Sequence, residues 1–279
     1  MSAKLVQWPA NISSCSADVT LGLVDTGIDA AHPSLRGRNI EVLTLRGKSR
    51  PPSGKGHGTA IASILVGAAG SSSPGLLPGA RVVAVDAFHR ATLGDDRMDA
   101  FDLVAAIDAL LDRGVRIINF SFSGPPNELL ETAIKTAQAR GVLMVAAVGN
   151  EGPKAPPRYP AAYGEVIAVT AIDARFDVYR RANRGQHVDL AAPGVDVWAA
   201  DVSPRVVARA QSGTSYATPF VTAVLALIVG RSPDVSADAA KASLLGAVRD
   251  LGTAGHDPVF GHGLIQAAKL CAQWKAASG

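Results

Sequence analysis

A serine and a histidine with catalytic potential each stand at the start of a predicted helix. Ser215, in the segment Gly-Thr-Ser-Tyr-Ala-Thr-Pro, opens an apolar helix that runs to Gly230. The backbone N–H of such a serine is unpaired in the first helical turn, so it can donate to an oxyanion while the hydroxyl attacks a carbonyl. His57 stands between two glycines ahead of another apolar helical run, and these glycines permit close approach of other backbone or substrate. Taken alone, both residues are equally compatible with structural roles, as an N-cap serine and a satisfied histidine.

An acid and an amide come directly after predicted strands. Asp25 ends the apolar run 19–24, and Asn150 follows the run 142–148. A turn-forming Asp and a loop Asn are ordinary features when each is considered alone. Together with Ser215 they supply an orienting acid, an oxyanion donor and a nucleophile, which are functions that covalent catalysis needs beside a histidine base. The chain order acid, base, nucleophile is one of the orders in which unrelated folds assemble such a set.

The elements that must position these residues alternate between strands and helices. Six short apolar runs predict strands that are covered on both faces, at 19–24, 40–45, 81–88, 115–122, 142–148 and 165–172. Apolar residues three to four apart predict helices at 98–112 and 127–140. The first of these helices is expected to bury Phe101, Val104, Ile107 and Leu111 and to be capped by Asp95 and Asp96. Repeated strand, helix, strand units imply a parallel sheet, and ligands of such sheets bind beyond the carboxyl ends of the strands.

Length and composition set limits on the protein class. The chain has 279 residues, 48% of them hydrophobic, which predicts one domain spanning 1–279. The net charge of +3 argues against a nucleic-acid partner. The longest apolar stretch, 220–230, is about half of the roughly 20 residues that span a bilayer, so we expect no membrane span. Cys15 and Cys271 lack the spacing of a zinc site, and they are compatible with either free thiols or a disulfide.

The sequence resembles the subtilisin-like serine proteases (subtilases, peptidase S8 type). The motifs that carry the resemblance are DTG around Asp25, HGT around His57, AAVGNEG around Asn150 and SGTSYATP around Ser215, and matching spacing covers roughly 18–275. The resemblance implies a three-layer α/β fold with a largely parallel, seven-stranded sheet between helices. It also implies a serine endopeptidase that hydrolyses peptide bonds through an acyl-enzyme.

The resemblance assigns a role to each of these residues. Ser215 attacks the scissile carbonyl, His57 takes its proton and delivers it to the leaving amine, and Asp25 holds the imidazole tautomer. Asn150 and the Ser215 backbone N–H receive the oxyanion. Thr214 adds either a weak substrate contact or a structural hydroxyl. Extended substrate is expected to pair as an added strand with Ser121, Phe122, Ser123 and Gly124.

Arg158 precedes Tyr159-Pro160, where the family places the floor of the pocket for the residue before the scissile bond. A small residue is common there, and a cis bond before Pro160 fits the family's tight turn. An inward guanidinium would carry an uncancelled positive charge and favour Glu, Asp or small residues. The alternative is a side chain that extends to solvent and leaves an apolar pocket. The charged segment 95–98 and Ser123, which replace commonly glycine-rich positions, predict narrower and charged outer subsites.

Several expectations concern cofactors and partners. Ser34 replaces an Asp that helps form a tight calcium site in some relatives, and the loop 66–80 lacks the cluster of oxygen ligands that hard cations need. We therefore expect no required cofactor and no strong calcium site at Ser34. The first ten residues lack the apolar core of a signal peptide, so either the protein is not exported or its leader is missing from this sequence. By resemblance we expect a secreted or periplasmic monomer that acts on polypeptides and is made with an inhibitory prosegment upstream of Met1.

Two other functions are compatible with parts of the sequence. An α/β-hydrolase-type esterase would use the order Ser, acid, His, with Ser215, Asp238 or Asp250, and His256 or His262. Its nucleophile motif requires a glycine where Ala217 stands, and it leaves the other three motifs unexplained. The second alternative is a catalytically silent binding scaffold. Silent members of such families usually lose a triad residue, and none is missing here.

Overall fold

The computed structural model describes residues 2–9, 19–47, 49–91 and 94–270. Cys15 and Cys271, and with them the question of a disulfide, lie outside the described residues. The helices are α1 (Ser2–Leu5), α2 (Gly56–Val66), α3 (Ala100–Leu111), α4 (Glu128–Ala139), α5 (Thr214–Arg231) and α6 (Ala237–Gly246). The strands are β1 (Thr20–Asp25), β2 (Ile40–Thr44), β3 (Arg81–Asp86), β4 (His89–Arg90), β5 (Asp96–Arg97), β6 (Ile117–Phe120), β7 (Leu143–Ala147), β8 (Val166–Ile172), β9 (Leu190–Pro193), β10 (Val197–Ala200), β11 (Ala208–Gln211), β12 (Val248–Arg249) and β13 (Leu264–Ile265).

A nine-stranded sheet in the order β12-β13-β9-β8-β7-β6-β1-β3-β2 organises the protein. The seven strands from β9 to β2 run parallel to one another, and the two-residue strand β13 joins them in parallel. The other two-residue strand, β12, is antiparallel to β13 at the edge. The largely parallel α/β sheet is therefore confirmed. The expected count of seven strands is met by the longer strands, and the two additional strands only extend one edge.

Alternating side chains of the central strands divide the core into two layers. In β3, Val82 and Ala84 face a cluster that includes α2 and α5, whereas Val83 and Val85 face a cluster that includes α3 and α4. Because a strand buried on both faces carries apolar residues at successive positions, the sequence of β3 shows no polar alternation. The result is a sheet between two layers of helices, as the resemblance implies.

Two details of helix α3 differ from the sequence-based expectation. The helix begins at Ala100 after Asp99, and Asp96 belongs to β5, so the predicted capping by Asp95 and Asp96 is wrong. Phe101 is 74% exposed, which contradicts its predicted place in the core. The buried face instead carries Leu103, Ala106, Ile107 and Leu110. This set also has helical spacing, so periodicity alone did not choose between two adjacent faces.

Helix α5 runs through the core beneath the sheet. It contacts β6, β7, β8 and β9, and its interior includes Pro219. Among the described helices it is the one that is long and apolar enough to cross a membrane, with a mean hydropathy of 1.2, yet 83% of it is buried inside the protein. That burial is typical of the core helix of a folded domain.

Candidate active site

Asp25 and His57 form a short hydrogen bond at the carboxyl end of β1. Asp25 is the last residue of β1 and is 2% exposed, and His57 is the second residue of α2. The distance from His57 Nδ1 to Asp25 Oδ1 is 2.7 Å. The backbone N–H of Thr26 donates to the same oxygen at 2.7 Å. Since Nδ1 donates to the carboxylate, Nε2 of the imidazole is left as a proton acceptor.

The residues next to this pair lock β1 and α2 together. The backbone N–H of Gly58 donates to Thr26 Oγ1 at 3.0 Å, and the backbone N–H of Asp29 donates to Thr59 Oγ1 at 2.8 Å. A Cβ at Gly58 would lie 2.4 Å from the carbonyl oxygen of Thr26. Only glycine permits this approach, so the glycine after the histidine sets the distance between imidazole and carboxylate.

The environment of His57 shifts its protonation equilibrium. Burial lowers the pKa of His57, but the charge and hydrogen bond of Asp25 and the charge of Asp96 raise it more, so the net pKa is above the usual 6.5. Asp96 accepts from the backbone N–H of Gly54 at 3.0 Å and pairs with Nε of Arg90 at 3.0 Å. The protonated imidazole that forms during proton transfer is thereby stabilised.

Asn150 contacts the N-terminus of α5, the helix that carries Ser215. Ser215 is the second residue of the helix and is 9% exposed. Asn150 Oδ1 accepts from the backbone N–H of Thr214 at 2.9 Å and from Thr214 Oγ1 at 3.2 Å. Because a backbone N–H can only donate, the amide orientation is fixed and Nδ2 of Asn150 remains as a donor.

Thr214 holds this arrangement through its hydroxyl. The side chain is fully buried, and Oγ1 also accepts from the backbone N–H of Gly149 at 3.3 Å. Of the two roles expected for Thr214, this geometry favours the structural hydroxyl over a contact with substrate.

The residues of the segment after β6 differ in their burial and in their hydrogen-bond partners. Ser121 is 1% exposed, and its hydroxyl donates to the carbonyl oxygen of Ser215 at 2.9 Å. Gly124 donates to the carbonyl oxygen of Tyr159 at 2.7 Å, and the N–H of Tyr159 donates back at 3.0 Å. The expectation that Gly124 pairs with substrate is therefore wrong, because both its backbone groups already have a partner. Pairing of extended substrate with 121–123 stays a prediction.

A cleft of about 660 Å³ begins at this segment. Its lining includes Phe122, Ser123 and Gly124 together with the segment 96–100. The ring of Phe122 packs edge-on against Phe88 at 5.5 Å. The cleft thus combines an apolar lining with charged residues at its edge, where Asp96 and Arg97 stand.

Arg158 lies beside the Asn150 loop and is paired. Its Nη2 is 2.7 Å from Glu151 Oε1, and its side chain is 26% exposed. The Tyr159–Pro160 bond is cis, as the resemblance implies. The expected uncancelled charge on Arg158 is wrong because Glu151 neutralises it. The alternative of a side chain that extends to solvent and leaves an apolar pocket stays a prediction: the side chain is partly exposed, whereas its Nε is buried and lacks a hydrogen-bond partner among the described residues.

Tyr216 is a site residue that sequence reasoning missed. Its ring centroid lies 5.7 Å from that of His57, and its hydroxyl donates to Gln211 Oε1 at 3.3 Å. Burial and the nearby charge of Asp25 raise the pKa of Tyr216 to about 12, so the phenol is neutral at all working pH values. The available signal was its position directly after Ser215.

The histidines of the alternative esterase lie in another environment. His256 Nε2 donates to the carbonyl oxygen of Val188 at 2.8 Å, and its ring packs against His262 at 4.9 Å. Asp250 accepts from the backbone N–H of Gly255, and Asp238 lies in the first turn of α6. These contacts give structural roles to His256 and Asp250, and they favour His57 as the base.

The surroundings of Ser34 are those of a buried hydroxyl. Ser34 Oγ accepts from Ser73 Oγ at 2.7 Å, and its backbone N–H donates to His32 Nδ1 at 3.1 Å. Within the described ranges, no group of three or more His, Cys, Asp or Glu side chains could hold a metal ion.

Comparisons with known proteins agree with this geometry. The family model described as the subtilase family matches residues 16–263. Subtilisin BL of Lederbergia lenta is 33% identical over 94% of both chains. The minor extracellular protease Epr of Bacillus subtilis is 30% identical over 93% of this chain, which spans 39% of the length of that relative. The structure of the protease domain of PatA superposes with a TM-score of 0.80 at 29% identity and covers 95% of this chain and 98% of its own.

Proposed function

The chain belongs to the subtilase family and is a serine endopeptidase, and we propose that Asp25, His57 and Ser215 are its catalytic triad. The observation that carries the proposal is the 2.7 Å bond from His57 to the buried Asp25, made where a helix and a strand are locked together. This hydrogen bond orients His57 as a base at the carboxyl ends of the strands, where we also place Ser215 at its helix N-terminus.

The chemistry follows from these positions. Nε2 of His57 takes the hydroxyl proton of Ser215 while Oγ attacks the scissile carbonyl carbon, and the carbonyl oxygen becomes an oxyanion. The imidazolium then donates that proton to the leaving nitrogen as the C–N bond breaks, which leaves an acyl-enzyme. Water attacks the ester with His57 again as base, and the acid product and the serine hydroxyl are released. Asp25 stabilises the imidazolium throughout without taking the proton.

We propose that Asn150 Nδ2 and the backbone N–H of Ser215 are the oxyanion donors. The amide oxygen of Asn150 is held by Thr214, which directs the amide nitrogen away from that contact. The donor is therefore fixed before the substrate binds, and no reorganisation is needed as charge develops.

The substrate class proposed is extended polypeptide. The backbone of 121–123 would add the substrate as a strand, so that main-chain hydrogen bonds supply affinity with little dependence on side chains. Apolar side chains on the acyl side of the bond would enter the cleft lined by Phe88, Phe122 and Leu103.

For the residue before the scissile bond we propose a preference for small uncharged side chains. An Arg158 side chain at the floor of this pocket would leave too little depth for Phe or Leu, and the ion pair with Glu151 offsets its charge. This replaces the acidic preference that an unpaired guanidinium would give.

Further proposals concern the context of the enzyme. We propose that 1–279 is one catalytic domain that acts as a monomer without a required cofactor or a strong calcium site at Ser34, and that the protein is secreted with an inhibitory prosegment upstream of Met1. One relative is named an extracellular protease, which supports secretion. A buried Ser34–Ser73 hydroxyl pair supports the absence of a strong calcium site, since hard cations prefer several charged oxygens.

The triad is tested by labelling and by substitution. A fluorophosphonate should label the parent on Ser215 only, and His57→Ala should abolish labelling, whereas His262→Ala should leave it intact. Ser215→Ala and His57→Ala should each reduce kcat by about 10⁶-fold, a size known from subtilisin itself, and the double variant should lose little more. Multiplicative losses would contradict the triad. Failure of the folded parent to take the label would favour a silent scaffold.

A further inference from the structure

A chain of buried hydrogen bonds ends on the backbone of the nucleophile. Thr222 Oγ1 donates to Asn119 Oδ1 at 2.8 Å, and Asn119 Nδ2 donates to Ser121 Oγ at 2.8 Å. Ser121 Oγ in turn donates to the carbonyl oxygen of Ser215 at 2.9 Å. All three donor residues are at most 1% exposed. Each group in the chain donates in one direction, and the final acceptor is the Ser215 carbonyl.

The Ser215 carbonyl needs this donor because of a proline one turn later. In an α-helix the carbonyl of residue 215 would accept from the backbone N–H of residue 219. Position 219 is Pro219, which lies inside α5 and has no N–H. Buried backbone carbonyls are almost always paired. The Ser121 hydroxyl therefore occupies the position of the missing helical donor.

We propose that Ser121 is a positioning residue for the nucleophile, in that its hydroxyl replaces the N–H that Pro219 lacks and fixes Ser215 against the end of β6. The inference rests on the proposed triad. Ser121 directly precedes Phe122 and Ser123, which line the substrate cleft, so one residue joins the substrate segment to the attacking serine. A link of this kind sets the distance between the scissile carbonyl and Oγ, to which the rate is highly sensitive.

The test is a double-variant cycle that uses the proline. Ser121→Ala should reduce kcat by about 10- to 100-fold and change KM by less than about threefold, because the backbone that pairs with substrate is retained. Pro219→Ala should change kcat by less than about threefold. In the double variant, the N–H introduced at position 219 can donate to the Ser215 carbonyl, so kcat should return to within about threefold of Pro219→Ala alone. A role for Ser121 that does not act through the Ser215 carbonyl would give no such rescue.

Controls separate positioning from stability. Ser73→Ala removes another buried hydroxyl that donates to a serine, and it should leave kcat unchanged. Melting temperatures of all variants establish that they are folded. Parental kcat in Ser121→Ala would overturn the proposal, and so would a tenfold difference between the double variant and Pro219→Ala. The latter comparison holds even if Ser121→Ala alone does not fold. Loss of hydrolysis in Ser215→Ala tests the triad separately, so the two proposals can fail independently.

Discussion

From the proposed place of Arg158 beside the residue before the scissile bond, we expect that the ion pair of Arg158 and Glu151 controls substrate preference. Glu151→Gln removes the charged partner of Arg158, whose side chain is 26% exposed in the parent and whose buried Nε lacks a partner among the described residues. A carboxylate on the substrate residue before the scissile bond could then take the place of Glu151. We therefore expect this substitution to create the acidic preference that the parent lacks.

The magnitude follows from the exposure of the pair. Two unit charges about 4 Å apart interact by about 4 kcal/mol at an effective dielectric constant of about 20. Glu151 is 45% exposed, and solvent reduces such pairs to about 1 kcal/mol or less. A hydrogen bond to a charged group contributes about 1.5–3 kcal/mol. A gain of about 1.4 kcal/mol for a substrate carboxylate lies between the value for an exposed ion pair and the value for a charged hydrogen bond. It corresponds to about tenfold in kcat/KM.

The assay compares peptides that differ only in Glu or Gln before the bond. The ratio of their kcat/KM values should be near one in the parent and rise about tenfold in Glu151→Gln. Arg158→Gly should have the opposite effect on charge preference, because Glu151 is then left to favour Lys before the bond. It should also open depth in the pocket for Phe at that position. In Glu151→Gln, the ratio of kcat/KM for the Glu peptide to that for the Gln peptide should fall as salt increases. An unchanged ratio in Glu151→Gln would refute the reasoning, because it would show that the pair lies outside the path of the substrate side chain.

Two further substitutions test how the base is positioned and tuned. Gly58→Ala should reduce kcat at least about 100-fold, because its Cβ would lie 2.4 Å from a carbonyl oxygen and α2 must move. The matched control is Gly70→Ala, whose Cβ meets nothing within 4 Å. Parental activity in Gly58→Ala would show that the close approach of the two backbones is not required. Asp96→Asn should lower the pKa of His57, because the charge of Asp96 raises that pKa. The acidic limb of the pH profile of kcat/KM should therefore move to lower pH. A limb that stays in place or moves to higher pH would argue against His57 as the base that Asp96 influences.

The parallel strands and the residues at their ends could be predicted from the sequence. The runs that became β1, β7 and β8 are apolar at nearly every position, which only a sheet buried on both faces requires. The carboxyl ends of parallel strands lie on the same side of a sheet, so placing Asp25 and Asn150 on that side needed no knowledge of distant contacts.

The missed features depend on contacts between distant parts of the chain. Strands β12 and β13 have two residues each, and the β10–β11 hairpin has partly exposed strands, so neither gives a usable apolar pattern. The bond from Ser121 to Ser215 joins residues 94 positions apart. The pairing of Arg158 with Glu151 is a different case, because both residues lie in the loop between β7 and β8, and charge alone gives no sign of which partner is chosen.

The short motifs around the proposed catalytic residues contain hydrogen bonds that connect one motif to another. Thr26, which follows Asp25, accepts from the residue after His57. Thr214, which precedes Ser215, holds the amide of Asn150. Thr26 therefore connects β1 to α2, and Thr214 connects α5 to the loop after β7. These four elements are joined in pairs by residues that take no part in the chemistry. Substitutions at these neighbours should therefore disturb kcat more than substrate affinity, because they change the alignment of reacting groups and leave the cleft intact.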